Sequence, residues 1–486
     1  MDRTTSDRIK PTAGRDSITG AHLNRDVSPW TAAILLAYVL GFCLFSPVVF
    51  TSTDEPWYVE QAIAFARGSL EPVSLYPPGT SILQAPLVAV GGWRAAAGAS
   101  VLSLAITVLC LGRWLRSAGY APAAALLVVA YAPTLVMGRL ATSDLPSAAI
   151  VTVGLWLFWT GSGDRWRWLL AGMVAGLSLL LREANVAILL PFILGAVWRR
   201  EPSWRALAGG AIAGLAAAIL LQYVVIGSPV EWAEPVALWS LAAALESGPL
   251  YAFALLVLVP GGLIAVWTYR GPRWRELQLA FALFLVIYLF YGYSGQDSGP
   301  LERVAVAGRY FIPLVPLIAL AWADAASRYV REIRVRRLAP VAGAGLLVAA
   351  FAVHPVMHAW SAPDAAIVRD IVSTSAAGVV IADIPQRKFV AAGYGPFTRR
   401  WMIDTPPASL GRLIMEHPRT YIVWVSRSDT PSMEQLWATP RNYVEQAAAL
   451  CQLEPVRDGT YGAARRLQVW RVRACGPDTV PGRFTQ

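Results

Sequence analysis

The sequence predicts a polytopic α-helical membrane protein of about eleven spans, with a small α/β domain at its C-terminal end. Three observations carry that prediction. Of 486 residues, 56% are hydrophobic and only 15% charged, where a soluble chain carries roughly a quarter charged residues. Mean hydropathy is +0.48, and the apolar residues come in long uncharged runs, as lipid requires. Beyond residue 355 those runs stop and short β-type stretches alternate with polar, helix-compatible ones.

Residues 1–29 read as a polar tail. The run Trp30–Phe50 carries no charge and is long enough for a ~30 Å hydrocarbon core. No small-x-small cleavage site closes it before the polar segment at Thr51, so it reads as a retained first span rather than a cleaved signal. Further spans are predicted near 94–112, 119–138, 145–161, 168–182, 185–198, 205–226, 250–269, 277–293, 309–326 and 338–355. Thr80–Gly92 is apolar but has 13 residues, which suits an interfacial or re-entrant helix.

Arginines set the orientation. With the N-terminus cytoplasmic, the inward loops hold Arg113 and Arg116, then Arg165 and Arg167. Arg199, Arg200 and Arg205 follow, then Arg270, Arg273 and Arg275, and finally Arg328, Arg331, Arg334, Arg336 and Arg337. Every arginine-dense short loop then falls on one side, as the positive-inside bias demands. The expected location is a bacterial inner membrane, with residues 30–355 as the membrane domain and 356–486 outside. The net charge of +10 does not point to nucleic acid, since Lys10 and Lys388 are the only lysines and the arginines sit in those short loops.

In the C-terminal segment, Gly378–Ile384, Thr420–Ser426 and Arg466–Val472 read as strands, with Pro431–Ala438 and Tyr443–Leu450 compatible with helix. Cys451 and Cys475 would lie in an oxidising compartment and close a disulfide. Cys43 and Cys110 fall inside apolar runs, where thiols are unremarkable.

Acidic residues at a membrane face need a reason, because an unpaired charge is expensive there. Asp54 and Glu55 open the first outward loop and Asp144 closes the second. Each also suits a helix start: Pro56 follows the first pair, and Ser143 or Asp144 can cap the next span. The two loops together, on one face and near outward arginines, suggest a site. His354 and His358, at the outer end of the last span, lack a third ligand and read as helix-end residues. Trp57 and Trp93 suit an interfacial aromatic belt, and Trp57 also suits stacking on a sugar.

These segments resemble the GT-C fold glycosyltransferases, the group of the protein O-mannosyltransferases and the lipid A aminoarabinose transferase. Asp54-Glu55-x-x-Tyr58 is similar to their first-loop acidic motif, Tyr76-Pro77-Pro78-Gly79 to the element opening their interfacial helix, and Asp144-x-Pro146 to the second-loop acid. Leu181-Arg182 resembles a recurrent arginine before a Leu-Pro helix, and Gly308-Arg309-Tyr310 through Pro313 and Pro316 a late helix. The likeness runs over residues 30–355 in the right order. It implies inverting transfer of a sugar from a polyprenyl-phosphate donor to an extracytoplasmic glycolipid, cell-wall glycan or protein. Asp54 would be the general base. Glu55 and Asp144 would orient the acceptor or share a divalent ion, as in relatives that use one; no other cofactor is implied. The lipid phosphate would fall to Arg139, Arg182, Arg303 and Arg309, with Arg182 and Arg309 best placed, and Tyr58, Tyr76 and Tyr310 would line the donor site. One departure matters. Many relatives have a lysine or histidine where this chain has Tyr76, and a neutral phenol cannot neutralise a phosphate.

Two other classes compete. A lipid-sugar flippase or other transporter should show two similar halves with broken helices at matching positions, and no internal repeat is visible. A polysaccharide ligase or polymerase should gather arginines and a histidine in one large late outward loop, whereas Ser294–Gly308 is short and contains no histidine.

Overall fold

The computed structural model describes residues 49–52, 54–74, 76–161, 163–227, 240–291, 304, 307–329, 355, 358–359, 361–427, 434–462 and 465–476. The predicted first and last spans, Arg303 and His354 lie outside these residues, apart from Val49, Phe50 and Pro355.

The first described helices are a short one, α1 (Glu55–Ala66), and then α2 (Gly79–Gly91). As its length foretold, α2 is too short to span. Its Thr80, Ser81 and Gln84 are buried against the neighbouring loops, while Ile82, Leu83 and Val90 stay exposed. Six longer helices follow: α3 (Gly98–Ser117), α4 (Asp144–Thr160), α5 (Arg165–Leu177), α6 (Asn185–Trp198), α7 (Trp204–Ile226) and α8 (Leu241–Leu258). Three further described helices are α9 (Gly262–Thr268), α10 (Trp274–Leu289) and α11 (Val315–Tyr329).

Two described stretches are long and apolar enough to cross a membrane unbroken, Trp93–Ser117 and Trp204–Ile226, and a third candidate, α8 with α9, is bent by 89°. Pro260 and Gly261, the latter at φ 72°, explain the bend, since a missing N–H and a left-handed residue end a helix together. The expected continuous span at 119–138 is instead broken. A 3-10 turn at Pro122–Leu126 leads into two short helices, Leu127–Ala130 and Ala132–Met137, separated by Tyr131 in an extended conformation, and Pro133 opens the second.

Glycines let α5 and α7 approach to backbone contact. A Cβ at Gly172 would stand 2.0 Å from the Leu207 carbonyl oxygen, and one at Gly214 would stand 2.3 Å from that of Met173. Gly176 and Gly210 are equally tight, so both helices carry the small-xxx-small spacing that replaces hydrophobic force in lipid. Trp114, Trp168, Phe192, Phe281 and Phe284 fill the helical core. Val90 (92% exposed) and Trp198 (90%) point outward, as residues bathed in lipid tails would.

Residues 379–475 build a five-stranded sheet. Its strands are β1 (Val379–Ala382), β2 (Thr398–Trp401), β3 (Thr420–Arg427), β4 (Cys451–Tyr461) and β5 (Arg465–Cys475), in the order β2-β1-β3-β5-β4. β1 runs parallel to β2 and β3, while β5 pairs antiparallel with β3 and β4. Helices α12 (Leu410–Glu416) and α13 (Glu434–Leu450) complete it. A disulfide joins Cys451 to Cys475, opposite one another where β4 begins and β5 ends, across a sequence separation of 24. Replacing both cysteines with serine is expected to destabilise this unit by about 3 kcal/mol, read as a lowered midpoint for its own unfolding transition.

The sheet unit sits on α1. Val49 packs into its core beside Ile367, Val380 and Val423, and the Phe50 amide donates to the Tyr394 hydroxyl at 2.7 Å. Phe50, Trp93 and Tyr394 form an aromatic triplet with centroids 4.9–5.4 Å apart. At the centre of the contact Glu60 is buried with two guanidiniums: Arg387 Nε donates to it at 2.6 Å and Arg399 Nη2 at 2.9 Å. Burial opposes the Glu60 charge, yet Arg399 and Arg387 outweigh it and hold the carboxyl below its usual range. A depressed native value means stability that is present above the unfolded value of about 4.3 and lost as pH falls through the native one. Docking is therefore expected to hold from neutral pH down to about 4 and to loosen only in stronger acid, as rising proteolysis around 361–378 would report.

Candidate active site

Four loops converge beside the N-terminal ends of α1 and α4. Asp54 stands just ahead of α1, where Pro56 sets the first turn. Its Oδ1 accepts from the Tyr76 hydroxyl at 3.1 Å and its Oδ2 from Arg309 Nη2 at 2.8 Å. Asp144 begins α4, its side chain 1% exposed, and accepts from Arg182 Nη2 at 2.8 Å. Ser143 lies between them and accepts from Arg182 at 3.2 Å and from the Tyr58 hydroxyl at 3.1 Å. The Asp54 side chain, by contrast, is 24% exposed.

Aromatic rings wall this cluster. Tyr58 stacks on Tyr76 with centroids 5.0 Å apart, and Tyr310 stacks on Tyr288 at the same separation. The Arg309 and Arg182 guanidiniums lie 5.1 and 5.9 Å from the Tyr310 ring centre. Close packing holds the arginines in place. A Cβ at Gly79, where the Pro-Pro element enters α2, would lie 2.5 Å from the Leu180 carbonyl oxygen, two residues before Arg182. One at Gly308 would lie 2.4 Å from Leu258 and 2.8 Å from Pro133, and the Gly308 carbonyl accepts from Tyr131 at 2.7 Å.

Two buried donors in this cluster, Arg182 Nη1 and Arg309 Nε, have no hydrogen-bond partner among the described residues. Buried polar groups are nearly always satisfied, so each orphan needs an explanation. Two unpaired guanidinium N–H groups, on side chains that both lie against the Tyr310 ring and near a partly exposed carboxylate, suit an anionic ligand with several oxygens, a phosphate above all.

The remaining sequence candidates divide. Tyr58, Tyr76, Asp144, Arg182, Arg309 and Tyr310 all belong to the cluster. Glu55 is adjacent but spent: its Oε2 accepts from the Thr51 and Ser52 amides at 2.9 and 3.0 Å, and its Oε1 accepts from the Ala141 amide at 2.9 Å. It staples the segment before α1 to the loop before α4. Glu55→Gln would turn an amide NH2 against backbone N–H groups, and is expected to cost about 1–3 kcal/mol, read as a lowered melting temperature of the purified protein. Arg139 is buried and lines a small cleft with Phe50, Glu55, Trp93 and Arg94.

A divalent ion does not suit this donor set. Asp54 and Asp144 each hold a guanidinium, Glu55 is occupied by backbone amides, and hard cations ask for several free oxygens together. Among the described residues no group of three or more His, Cys, Asp or Glu side chains is arranged to hold a metal.

Sequence reasoning missed Glu60, Gln61 and Arg387, which support the cluster from behind. It read Tyr76 as a departure and as lining the donor site, and did not foresee that the phenol donates to Asp54.

No protein-family model matches the chain, and no curated protein matches it by sequence. Its three-dimensional likeness is to solved structures. ArnT from Cupriavidus metallidurans in the apo state aligns with a TM-score of 0.59 at 13% identity, covering 91% of this chain and 98% of that one. The same protein bound to undecaprenyl phosphate aligns with a TM-score of 0.58 over the same shares. A looser likeness, TM-score 0.46 at 13% identity, is to the oligosaccharyltransferase of Archaeoglobus fulgidus, covering 88% of this chain and 72% of that one. The fold is thus the GT-C membrane fold that the motifs along residues 30–355 resemble.

Proposed function

Starting from that fold, we propose that the chain is a membrane glycosyltransferase that moves a sugar from a polyprenyl-phosphate donor to an acceptor on the outer side of the membrane. The observation that carries this reading is the pair of unsatisfied guanidinium donors, Arg182 Nη1 and Arg309 Nε, next to the one partly exposed carboxylate of the cluster. The neighbour ArnT was crystallised with undecaprenyl phosphate, a ligand of the same chemical class.

In the proposed reaction the donor phosphate rests on Arg182 and Arg309 with its lipid along the helices. Asp54 takes the proton of the acceptor hydroxyl or amine. The freed oxygen or nitrogen attacks the anomeric carbon from the face opposite the phosphate, so the configuration inverts. The carbon–oxygen bond to phosphate breaks, and that oxygen leaves with the electron pair onto the two guanidiniums. Arg309 belongs to both halves of the step, since it holds Asp54 through Nη2 and offers Nε to the phosphate. Asp144 keeps Arg182 charged and aimed. Tyr76 fixes the free rotation of Asp54, which gives a neutral phenol a use where many relatives carry a cation.

The same reading puts α1, α2 and the sheet unit outside a bacterial inner membrane, where a disulfide persists. It assigns residues 30–355 to the transferase domain and 356–486 to an outer domain, and leaves Arg199, Arg273 and their partner Glu201 at the cytoplasmic end of α6. Lipid binding tests the phosphate seat. A polyprenyl phosphate at 100 times its dissociation constant should stabilise the purified wild type by about 2.7 kcal/mol, and a polyprenyl alcohol should not. Equal stabilisation by both would remove the two arginines from the reading.

A further inference from the structure

We propose that Arg387, in the C-terminal sheet unit, is a positioning residue for the transfer site: it holds the loop that presents Tyr76 to Asp54. The inference rests on the transferase reading above.

Arg387 lies in a 3-10 turn at Ile384–Phe389, just after β1, and its side chain is only 4% exposed. It serves two elements of the membrane part at once. Its Nε donates to Glu60 on α1 at 2.6 Å, and its Nη2 donates to the Val73 carbonyl at 3.2 Å. Its flat face lies 3.7 Å from the ring centre of Trp57, one turn of α1 earlier. From Val73 a continuous set of bonds leads to the carboxylate. Gln61 Oε1 accepts from the Val73 and Ser74 amides at 2.8 and 3.1 Å, so the loop is fixed to α1 on its other side. Ser74 Oγ accepts from the Tyr76 amide at 3.1 Å, and the Tyr76 hydroxyl donates to Asp54 Oδ1 at 3.1 Å.

Gln61 Nε2 also donates to the Glu71 carbonyl at 3.2 Å, so Gln61 and Arg387 hold the loop between them. Glu71 and Val73 are not in regular structure, and Ser69, Leu70 and Glu71 are at least partly exposed. Phenol and carboxylate therefore depend on Gln61 of α1 together with a guanidinium supplied by the sheet unit. A forked, planar group suits this task, because one side chain must donate in two directions within a plane stacked on tryptophan. Arg399 shares Glu60 but is not bonded to the loop; its other acceptor is the Val390 carbonyl. The two arginines thus differ in kind: both dock the sheet unit, and Arg387 alone of the two reaches the catalytic loop.

The test uses the full chain in lipid nanodiscs, with Arg387→Lys, Arg399→Lys, Tyr76→Phe and the double variant Arg387→Lys/Tyr76→Phe. Lysine keeps a charge for Glu60 and cannot also fork to Val73, so docking should survive. Amide exchange at Val73 and Ser74 is expected to quicken at least tenfold in Arg387→Lys, with β1 unchanged and with no such effect in Arg399→Lys. With a polyprenyl-phosphate sugar donor, Arg387→Lys should lower kcat by about 10- to 100-fold with donor KM within twofold. Tyr76→Phe in that background should add nothing. Unchanged exchange at Val73 and Ser74, or losses that multiply in the double variant, would overturn the inference. A wild type that transfers no sugar overturns the transferase reading instead, and the exchange rates still decide whether Arg387 holds the loop.

Discussion

Asp54→Asn is expected to lower sugar transfer by about 10²- to 10⁴-fold while leaving the fold intact. The substitution keeps volume and one oxygen, so the Tyr76 hydroxyl retains its acceptor at Oδ1 if the amide oxygen takes that place. The basic oxygen is lost, and with it the group that accepts the acceptor's proton. The substitution leaves the Arg309 guanidinium, 14% exposed, without its carboxylate, and the 24% exposure of the Asp54 side chain lets water take up part of that loss, so the chain folds with a lowered melting temperature. Expression and polyprenyl-phosphate affinity should stay close to wild type. A variant that transfers at the wild-type rate would remove Asp54 from the chemistry and leave it a helix-start residue.

Arg309→Lys should be nearly as damaging, with a fall of about 10²- to 10³-fold in kcat. The guanidinium spans the two halves of the site: Nη2 holds Asp54 at 2.8 Å, and Nε is buried without a partner. An ammonium is a compact charge and cannot satisfy both in the fixed plane that the fork provides. The loss should fall on kcat more than on donor KM, because negative charge on the phosphate grows only as the bond to the sugar breaks. A change confined to KM would make Arg309 a ground-state binder only. Steady-state kinetics over a series of donor concentrations separates these results.

How far the sequence foretold this arrangement varies from residue to residue. Asp54, Asp144, Arg182 and Arg309 were legible because each is a charge at the boundary of an apolar run, where lipid leaves few uses for it. That α2 is too short to span was legible from length alone. The broken helices at 122–137 were not, because Pro122 and Pro133 lie within an apolar run that hydropathy reads as continuous. Strands β2 and β4 escaped for a related reason. Thr398–Trp401 is short and half exposed, and Cys451–Tyr461 contains Pro455 and Gly459 amid polar residues, so its pairing with β5 is set by the partner strand and not by propensity.

Glu60 shows the sharper limit. Within α1 it resembles any helical glutamate, and its partners lie 327 and 339 residues further along the chain. Only the docked sheet reveals that it is buried with two guanidiniums. Glu55 erred in the opposite direction: adjacency to Asp54 suggested shared chemistry, whereas helical geometry turns it inward onto backbone amides. Tyr76 was named as a donor-site residue unable to neutralise a phosphate, and its bond to Asp54 depends on a loop conformation that Gln61 and Arg387 hold at Val73.

The central claim is that the Asp54–Arg309–Arg182 cluster cleaves a sugar from a lipid phosphate and does not merely pass the lipid across the membrane. Proteoliposomes holding the wild-type chain, with sugar-labelled polyprenyl-phosphate hexose and pentose donors and a crude envelope acceptor fraction, test it most directly. The account predicts label on the acceptor, released polyprenyl phosphate in equal amount, and inverted configuration at the anomeric carbon. Donor that stays intact and only changes leaflets would contradict it and establish a flippase in its place.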